Sequence, residues 1–328
     1  MKSSKILIGA GASALLLAGC SSVGGGGSAG GGGEGSSYPE RPISVIVPVP
    51  AGSSTDLSTR VVASCLEEEL GQTVVVENRE GGSGAVGNST FARAEADGYT
   101  LVSTTAANAV LPPILEGDVG YDVDSFKPVG MIGQAPVVLV VGPDSKYQNA
   151  EDFFAAATSE RLLVGIPGAT SVPAISLNAL IEQEGLSVEP VAFDGNQGTV
   201  QALLSGEVDA AYVSADGGVT LPRIESGEIT AIATAVTEEV AHLPEVPTLE
   251  SLGYSDLPYA DSFWFLAAQA DAPEEVTGAL EDAMETCMTT PEIQEQVGEG
   301  VAPAEFVDGA ATMEALRTAN DDYAAVLE

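Results

Sequence analysis

The sequence predicts an α/β protein with two similar halves and a parallel sheet covered on both faces. Short apolar runs alternate with helical patterns from residue 42 onward, and strand–helix–strand alternation is typical of parallel sheets. The apolar runs are continuous, which indicates strands buried on both sides. Residues 38–328 are enough for two lobes, and two lobes would leave a crevice, the usual place for a small ligand.

The first half is predicted to alternate strands and helices from its start. Leu57, Val61 and Leu66 recur at helical spacing, and Gly71 ends that helix. The predicted elements are a strand at 43–47, a helix at 55–70, a strand at 73–76, a helix at 84–96 and a strand at 99–103.

The second half repeats this scheme. A Pro-rich connection at residues 242–247 leads to an aromatic strand and then to a helical C-terminal third. Strands are predicted at 137–141, 162–166, 188–193, 208–213, 229–235 and 262–266, and helices at 171–184, 198–205, 220–225, 273–288 and 309–326.

The N-terminus predicts export. Two lysines precede an apolar run that is too short to span a membrane, which is typical of a signal peptide. The run ends in Leu-Ala-Gly-Cys, which resembles a bacterial lipobox, so residues 1–20 are predicted to be a lipoprotein signal peptide with Cys20 lipidated. An ordinary signal peptide with a chance cysteine is the weaker alternative. Residues 21–37 are almost all Gly and Ser and would form a flexible tether. The exported domain would then be anchored at the outer face of the cell membrane, or at the periplasmic side of a membrane.

The composition is strongly acidic. There are 48 Asp and Glu against 11 Lys and Arg, which gives a formal net charge of −37. Such a chain has no surface that neutralises phosphates, so we expect no nucleic-acid partner. The acids are dispersed along the chain, which indicates a solvated acidic surface. Adaptation to high salt is the alternative, and it requires a melting temperature that rises between low and molar salt.

Cys65 and Cys287 remain besides Cys20. An exported protein can keep a disulfide, but positions along a sequence do not show proximity in space. A disulfide between these two cysteines and two unpaired, buried thiols are both open interpretations.

Two loops that lead from a strand into a helix are candidates for binding an anion. Glycine lets the backbone approach a ligand, and Ser, Thr and Asp favour helix N-caps. Amides at a helix N-terminus bind anions without a Lys or Arg. Plain capping explains one such loop equally well, but two in equivalent positions favour binding. They are residues 48–56, with Gly52, Ser53, Ser54, Thr55 and Asp56, and residues 165–171, with Ala169, Thr170 and Ser171.

Other motifs give no support to catalysis. Residues 82–87 match G-x-G-x-x-G, but the acidic residue that a dinucleotide site needs about twenty residues further on is missing, so tight helix entry is the better interpretation. His242 is the lone histidine, which leaves a zinc site without its usual ligands. The sequence has no nucleophile elbow, phosphate loop or H-E-x-x-H motif. We therefore expect no enzymatic activity, no cofactor and no metal.

A series of short motifs runs in order along the chain. They are Tyr-Pro-Glu-Arg-Pro-Ile at 38–43, Gly-Ser-Ser-Thr-Asp at 52–56, Val-Val-Glu-Asn-Arg at 75–79, Ala-Asp-Gly-Tyr-Thr-Leu at 96–101, Leu-Leu-Ser-Gly-Glu-Val-Asp at 203–209, Leu-Pro-Glu-Val-Pro-Thr at 243–248, and the aromatic segment around Trp264 followed by Ala-Pro at 272–273. Together they resemble the solute receptors of tripartite tricarboxylate transporters, the TctC or Bug-type family. The resemblance covers nearly all of residues 38–328.

This resemblance implies a fold of the periplasmic-binding-protein type II, a Venus flytrap with a ligand cleft between two lobes. The first domain would be discontinuous, residues 38–141 plus 260–328, and the second would be residues 142–259. The boundaries would lie near Val141 and Tyr259.

The resemblance also implies a function. The two loops would grip a ligand carboxylate, partly through water, and Asn108 and Asp216 would border the cleft. The protein would capture a small carboxylated solute and pass it to the membrane subunits of a secondary transporter, acting as a monomer. A ligand-sensing lipoprotein that feeds a signalling partner is an alternative, and an exported α/β enzyme is a weaker one.

One departure from the family bears on the ligand. The family often has Tyr-Lys-Gly after the strand ending near Phe193, whereas this sequence has Phe193-Asp194-Gly195. An anion in place of a cation fits a ligand with an ammonium group, such as an acidic amino acid, unless Asp194 points to solvent. Dicarboxylates, tricarboxylates, acidic amino acids and aromatic acids therefore all remain candidates.

Overall fold

The computed structural model describes residues 38–236, 240, 242–254, 257, 261–298 and 300–327. Cys20, the predicted signal peptide and tether, and the expected domain boundary at Tyr259 lie outside the described residues. Within these ranges, no helix combines the length and the apolar character that a membrane crossing requires.

Strands of the described residues form one nine-stranded sheet flanked by helices, which confirms the predicted α/β class. The strands predicted at 43–47 and 162–166 coincide with β1 and β5 of the following list. The strands are β1 (Ile43–Val47), β2 (Val74–Asn78), β3 (Thr100–Thr105), β4 (Phe126–Val141), β5 (Leu162–Ile166), β6 (Val188–Ala192), β7 (Ala210–Ser214), β8 (Thr230–Thr234) and β9 (Asp261–Gln269).

The helices cover the faces of this sheet. They are α1 (Ser54–Leu70), α2 (Ala85–Ala92), α3 (Ala106–Glu116), α4 (Ala150–Ala157), α5 (Val172–Glu184), α6 (Gly195–Leu204), α7 (Thr220–Glu225), α8 (Glu274–Met288), α9 (Pro291–Val297) and α10 (Gly309–Leu327). The sequence patterns do not predict α3, α4 or α9, and α2 is shorter than the predicted helix at 84–96.

The sheet is mixed. Its order is β2-β1-β3-β9-β4-β7-β5-β6, with β8 also paired to β4. β1 is parallel to β2 and β3, and β5 is parallel to β6 and β7. The prediction of a wholly parallel sheet is wrong at the centre, where β9 and β4 pair antiparallel with all their neighbours. A continuous apolar run shows that both faces of a strand are covered, but it does not show the strand's direction.

Strand β4 joins two parts of this sheet. Its residues Phe126–Pro136 pair with β9, and its residues from Val137 onward pair with β7 and β8. We call β1–β3 with β9 the first part and β5–β8 the second part. The change of partner at Val137 lies shortly before Val141, and a domain boundary near Val141 stays a prediction.

Helix α3 forms although it contains Pro112 and Pro113. Pro112 has no N–H to donate to the carbonyl of Asn108, four residues earlier. That carbonyl instead accepts hydrogen bonds from the side-chain amide of Asn88 at 2.8 Å and from the hydroxyl of Tyr121 at 2.7 Å. Partners from elsewhere in the fold thus replace the bond that proline removes.

A disulfide joins Cys65 of α1 to Cys287 of α8, with the two Cα atoms 5.9 Å apart. Of the two open interpretations of these cysteines, the structure has the disulfide. The pair lies in an apolar cluster between the first part of the sheet and the two helices, together with Leu66, Leu280 and Met284. The disulfide therefore links the helix that follows the first candidate loop to the C-terminal third of the chain.

Candidate ligand-binding site

The first candidate loop ends in a helix N-cap. Ser53 has extended backbone angles, φ −69° and ψ 160°, and its Oγ accepts the N–H of Asp56 at 3.3 Å. Gly52, with φ 85°, makes the preceding turn in a conformation that side chains disfavour. The N–H groups of Ser54 and Thr55 occupy the first two helical positions, where an α-helix offers no carbonyl partner. Both amides are available to an anion, and the helix dipole favours negative charge there.

Asp56 faces the loop rather than the solvent. It is 2% exposed, and its carboxylate accepts hydrogen bonds from the N–H of Gly52 and from the side-chain amide of Asn78, both at 2.8 Å. The guanidinium of Arg60 adds an ion pair at 3.0 Å. Burial alone raises the pKa of the Asp56 carboxyl, but the hydrogen bonds from Arg60, Gly52 and Asn78 and the charge of Arg60 outweigh it and hold the pKa below its usual value. The carboxylate therefore stays ionised and fixes the Gly52 amide. Direct contact of Asp56 with a ligand stays a prediction.

The first two turns of α1 are tied to the central strands. The Trp264 side chain on β9 donates a hydrogen bond to Ser58 Oγ at 2.8 Å, and Ser58 Oγ donates to the carbonyl of Ser54 at 2.8 Å. The hydroxyls of Thr59 and Ser103, the latter on β3, are 2.6 Å apart. These four anchoring side chains are buried, so the start of α1 is fixed to β3 and β9 by contacts away from solvent.

The second candidate loop repeats the cap of the first. Ser171 has φ −79° and ψ 160°, and its Oγ accepts the N–H of the third helical residue at 3.3 Å. Gly168 makes the turn with φ 110°, and Ala169 and Thr170 are exposed. Pro173 occupies the second helical position and has no N–H, so α5 presents one amide fewer than α1.

The glycines at 82–87 open α2, as the sequence predicts. Gly84 is its N-cap residue with φ 89°, and a Cβ there would lie 2.7 Å from the Cβ of Asn108. A Cβ on Gly87 would lie 2.7 Å from the Cβ of Pro48 in the first loop. The missing side chains thus let α2 pack against both the first loop and the start of α3, where Asn108 lies.

Asp216 follows β7 and holds the loop that leads to α7. Its Oδ1 accepts the N–H groups of Gly218 at 2.9 Å and Val219 at 2.8 Å. Its Oδ2 accepts the side-chain amide of Asn196 and, at 3.4 Å, the hydroxyl of Thr220. The family resemblance singles out Asp216, but nothing in the sequence points to Asn196, which lies 20 residues earlier in α6. Asp216 thus fixes the conformation of the loop after β7 through these hydrogen bonds.

Asp194 is exposed at the end of β6. It stands at the N-cap position of α6, and its side chain makes no capping hydrogen bond there. β5 and β6 are parallel neighbours, and the N–H of Phe193 donates to the carbonyl of Ile166 at 2.9 Å. Asp194 therefore lies beside the second loop.

The candidate residues gather at one edge of the sheet in each part. β5, β6 and β7 run parallel, so the second loop, Asp194 and Asp216 follow strand ends at the same edge. The loop after β7 also reaches the first loop, because a Cβ on Gly218 would lie 3.4 Å from Ser54 Oγ. Residues 48–56, 165–171 and 214–220 contain no Lys or Arg, so these loops offer an anion amides and hydroxyls rather than a cationic side chain.

The sequence matches a family described as the tripartite tricarboxylate transporter family receptor, TctC, over residues 58–314. The chain belongs to this family. Protein BugT of Bordetella pertussis is 34% identical to this TctC-family receptor over 251 residues, which cover 73% of this chain and 74% of that protein.

Solved structures match the fold of this TctC-family receptor. A TctC solute-binding protein from Polaromonas has a TM-score of 0.78 at 24% identity, with 88% of this chain and 98% of that chain covered. The periplasmic binding protein BugD has a TM-score of 0.70 at 25% identity, covering 88% and 97%. MatC from Rhodopseudomonas palustris, solved with bound malate, has a TM-score of 0.71 at 23% identity, covering 89% and 100%. The likenesses confirm the expected two-lobed binding-protein fold, and family membership places the chain among solute-binding receptors rather than enzymes.

Proposed function

We propose that this receptor captures a small carboxylate between its lobes and delivers it to the membrane subunits of a tripartite tricarboxylate-type transporter. The observation that carries the proposal is the pair of serine-capped helix N-termini, at Ser53 and Ser171, in loops without Lys or Arg. Amides at such ends attract a carboxylate even in a chain of net charge −37, because more distant charges are screened by salt. Two proteins of the same fold are solved with malate and with adipate, which supports a carboxylate ligand.

The residues divide into those that meet the ligand and those that hold the loops. In this proposal the ligand carboxylate accepts hydrogen bonds from the free amides and the hydroxyls of the two loops. Asp56 acts through Gly52, and Asp216 acts through the loop at 217–219, whose amides it accepts. The residues at the ligand are Ser53, Ser54, Thr55, Ala169, Thr170 and Ser171, with Asn108 and Asp194 at the border.

Binding in this proposal is coupled to closure of the lobes. A ligand favours the closed form only to the extent that it binds that form more tightly than the open one. Cys20 would carry the lipid anchor, and the tether at 21–37 would span roughly 20–25 Å between lipid and domain. The receptor would work as a monomer at that distance from the membrane and present its closed form to the transporter.

Thermal melting with a ligand panel tests the proposal. The panel contains succinate, malate, citrate, adipate, aspartate, glutamate and benzoate. A carboxylate at one hundred times its Kd should stabilise the protein by about 2.7 kcal/mol. Ala169→Trp should abolish the shift, because it fills the exposed second loop, whereas Ala155→Trp on the exposed face of α4 should preserve it. A flat response to the whole panel, or an undiminished shift in Ala169→Trp, would contradict the proposal.

A further inference from the structure

We propose that Gly217 and Gly218 form the contact through which the second part of the sheet closes onto the first, and that the missing side chain at Gly217 sets how closely the two parts approach. The inference rests on the proposed function, since it concerns closure of the same cleft. The contact itself does not depend on which solute is bound.

The loop after β7 touches the first part of the fold at two neighbouring positions. A Cβ on Gly218 would lie 3.4 Å from Ser54 Oγ, at the start of α1. A Cβ on Gly217 would lie 2.9 Å from Cγ2 of Val301. Carbon atoms that are not bonded prefer separations of about 3.5–4.0 Å, so a Cβ at Gly217 would require the loop or Val301 to move.

Val301 is held where it cannot yield to a new side chain. It is 2% exposed, and its N–H donates to the carbonyl of Gly298 at 3.0 Å. Its carbonyl accepts the N–H of Gln134 in β4 at 2.8 Å. Valine is also branched at Cβ, which restricts its rotation. An added methyl group at Gly217 would therefore push the two parts of the fold apart.

A second close approach occurs beside the first. A Cβ on Gly300 would lie 2.6 Å from Cγ of His242, which belongs to the Pro-rich connection after β8. Gly300 and Val301 thus lie against two loops of the second part. Gly300 contacts the loop with His242, and Val301 contacts the loop with Gly217. This strip is the surface against which the second part rests.

The backbone does not explain the glycines of the loop. Neither Gly217 nor Gly218 has a φ in the left-handed region, so alanine would be tolerated by the chain itself. Close approach is the remaining reason for glycine at Gly217, and the position of Ser54 beside Gly218 puts that approach at the mouth of the proposed site.

A designed cysteine pair tests the contact without any ligand. In Ser54→Cys/Gly218→Cys the new side chains lie within disulfide distance, because the Cβ at 218 would be 3.4 Å from the Ser54 Oγ position. The full chain is oxidised, and peptide mass mapping separates the new cross-link from the native Cys65–Cys287 bond. We expect the cross-link to form in the unliganded protein.

Three added substitutions separate the role of Gly217 from a general effect of a glycine-to-alanine change on the cross-linking rate. Gly217→Ala should slow cross-linking about tenfold, the factor that corresponds to 1.4 kcal/mol. Gly142→Ala is the matched control, because its Cβ would meet other atoms at ordinary distances of 3.7 Å or more. Val301→Ala added to Gly217→Ala should restore the rate, because it removes the methyl groups that the new Cβ meets.

Formation of the cross-link tests whether the contact exists, and its rate in the variants tests whether Gly217 controls it. Absence of the cross-link in a protein that melts normally would overturn the contact. Equal rates with and without Gly217→Ala, or no rescue by Val301→Ala, would overturn the role of Gly217. Should Gly217→Ala not fold alone, its combination with Val301→Ala gives the answer, since only relief of the contact restores folding and cross-linking together. A cross-link that forms in the cysteine variant, together with a flat response of the unchanged protein to the carboxylate panel, would overturn the proposed function and leave this inference standing.

Discussion

Replacing Asp56 by asparagine removes the charge that holds the first loop and keeps the shape of the side chain. The carboxylate faces three donors, the N–H of Gly52, the amide of Asn78 and the guanidinium of Arg60. An asparagine has one acceptor oxygen and turns an NH₂ group towards one of these donors. At least one donor near the buried position then loses its partner.

The cost follows from these contacts. Leaving a buried donor unsatisfied costs about 1–3 kcal/mol. The lost ion pair adds less than a buried pair would, because the Arg60 side chain is 45% exposed and can turn to water. We expect about 2 kcal/mol for Asp56→Asn, which corresponds to a fall in Tm of about 4–8 °C. Ligand affinity should fall as well, because the Gly52 amide and the loop around it are no longer fixed.

Asp152→Asn is the matched control. Asp152 occupies the third helical position of α4, as Asp56 does in α1, and each N-cap side chain accepts the amide of its aspartate. Asp152 is exposed, so its substitution removes the same favourable charge at a helix N-terminus without a buried network, at a cost below about 1 kcal/mol. Equal losses in the two variants, measured by thermal melting, would show that the buried hydrogen bonds of Asp56 add no stability.

The pH dependence gives a second readout of the same network. The pKa of Asp56 is lower in the folded protein than its usual value, so the carboxylate stabilises the fold above the unfolded pKa of about 4. This contribution is lost as the pH falls through the folded pKa. The stability advantage of the unchanged protein over Asp56→Asn should therefore shrink below about pH 4, and an advantage that stayed constant to pH 2 would contradict the role of the charge.

Two further predictions concern other parts of the fold. Replacing Cys65 and Cys287 together by serine should cost about 2–4 kcal/mol, since the disulfide closes a sequence separation of 222 residues, and melting with and without a reducing agent should differ only in the unchanged protein. An equal Tm of the unchanged protein with and without the reducing agent would contradict this expectation. Asp194→Asn should lower the preference for aspartate over succinate by about two- to fivefold in calorimetry, because an exposed charge pair contributes about 0.5–1 kcal/mol. Glu207→Gln, an exposed acid at the opposite ends of the strands, is its control, and an equal change in both variants would show that Asp194 does not face the ligand.

The two capped loops follow from the sequence because their signals are local. A strand, a glycine and then a serine before a helical pattern predict the cap at Ser53 and again at Ser171, and both caps are present. The inward orientation of Asp56 does not follow, since its partner Asn78 lies 22 residues away on a neighbouring strand. Contacts across such separations depend on which strands become neighbours, which no local pattern specifies.

The length of β4 shows the same limit within a single element. Only residues from Val137 onward are predicted as a strand, because Pro128, Gly130, Gly133 and Pro136 interrupt the earlier part of the apolar run. In the fold, β9 pairs along that earlier part and its register shifts around the interruptions. Pairing with β9 thus keeps residues 126–136 extended, although prolines and glycines interrupt the apolar run there.

Trp264 gives a fluorescence signal from the place where α1, β4 and β9 meet. It is the chain's single tryptophan, and it is 4% exposed between Ser58 of α1 and Gly133 of β4. All intrinsic tryptophan emission of the protein therefore originates at the point where α1 meets β9 and β4. A solute that rearranges this junction alters the environment of one indole and no other, so the receptor carries its own optical probe, with neither dye nor label.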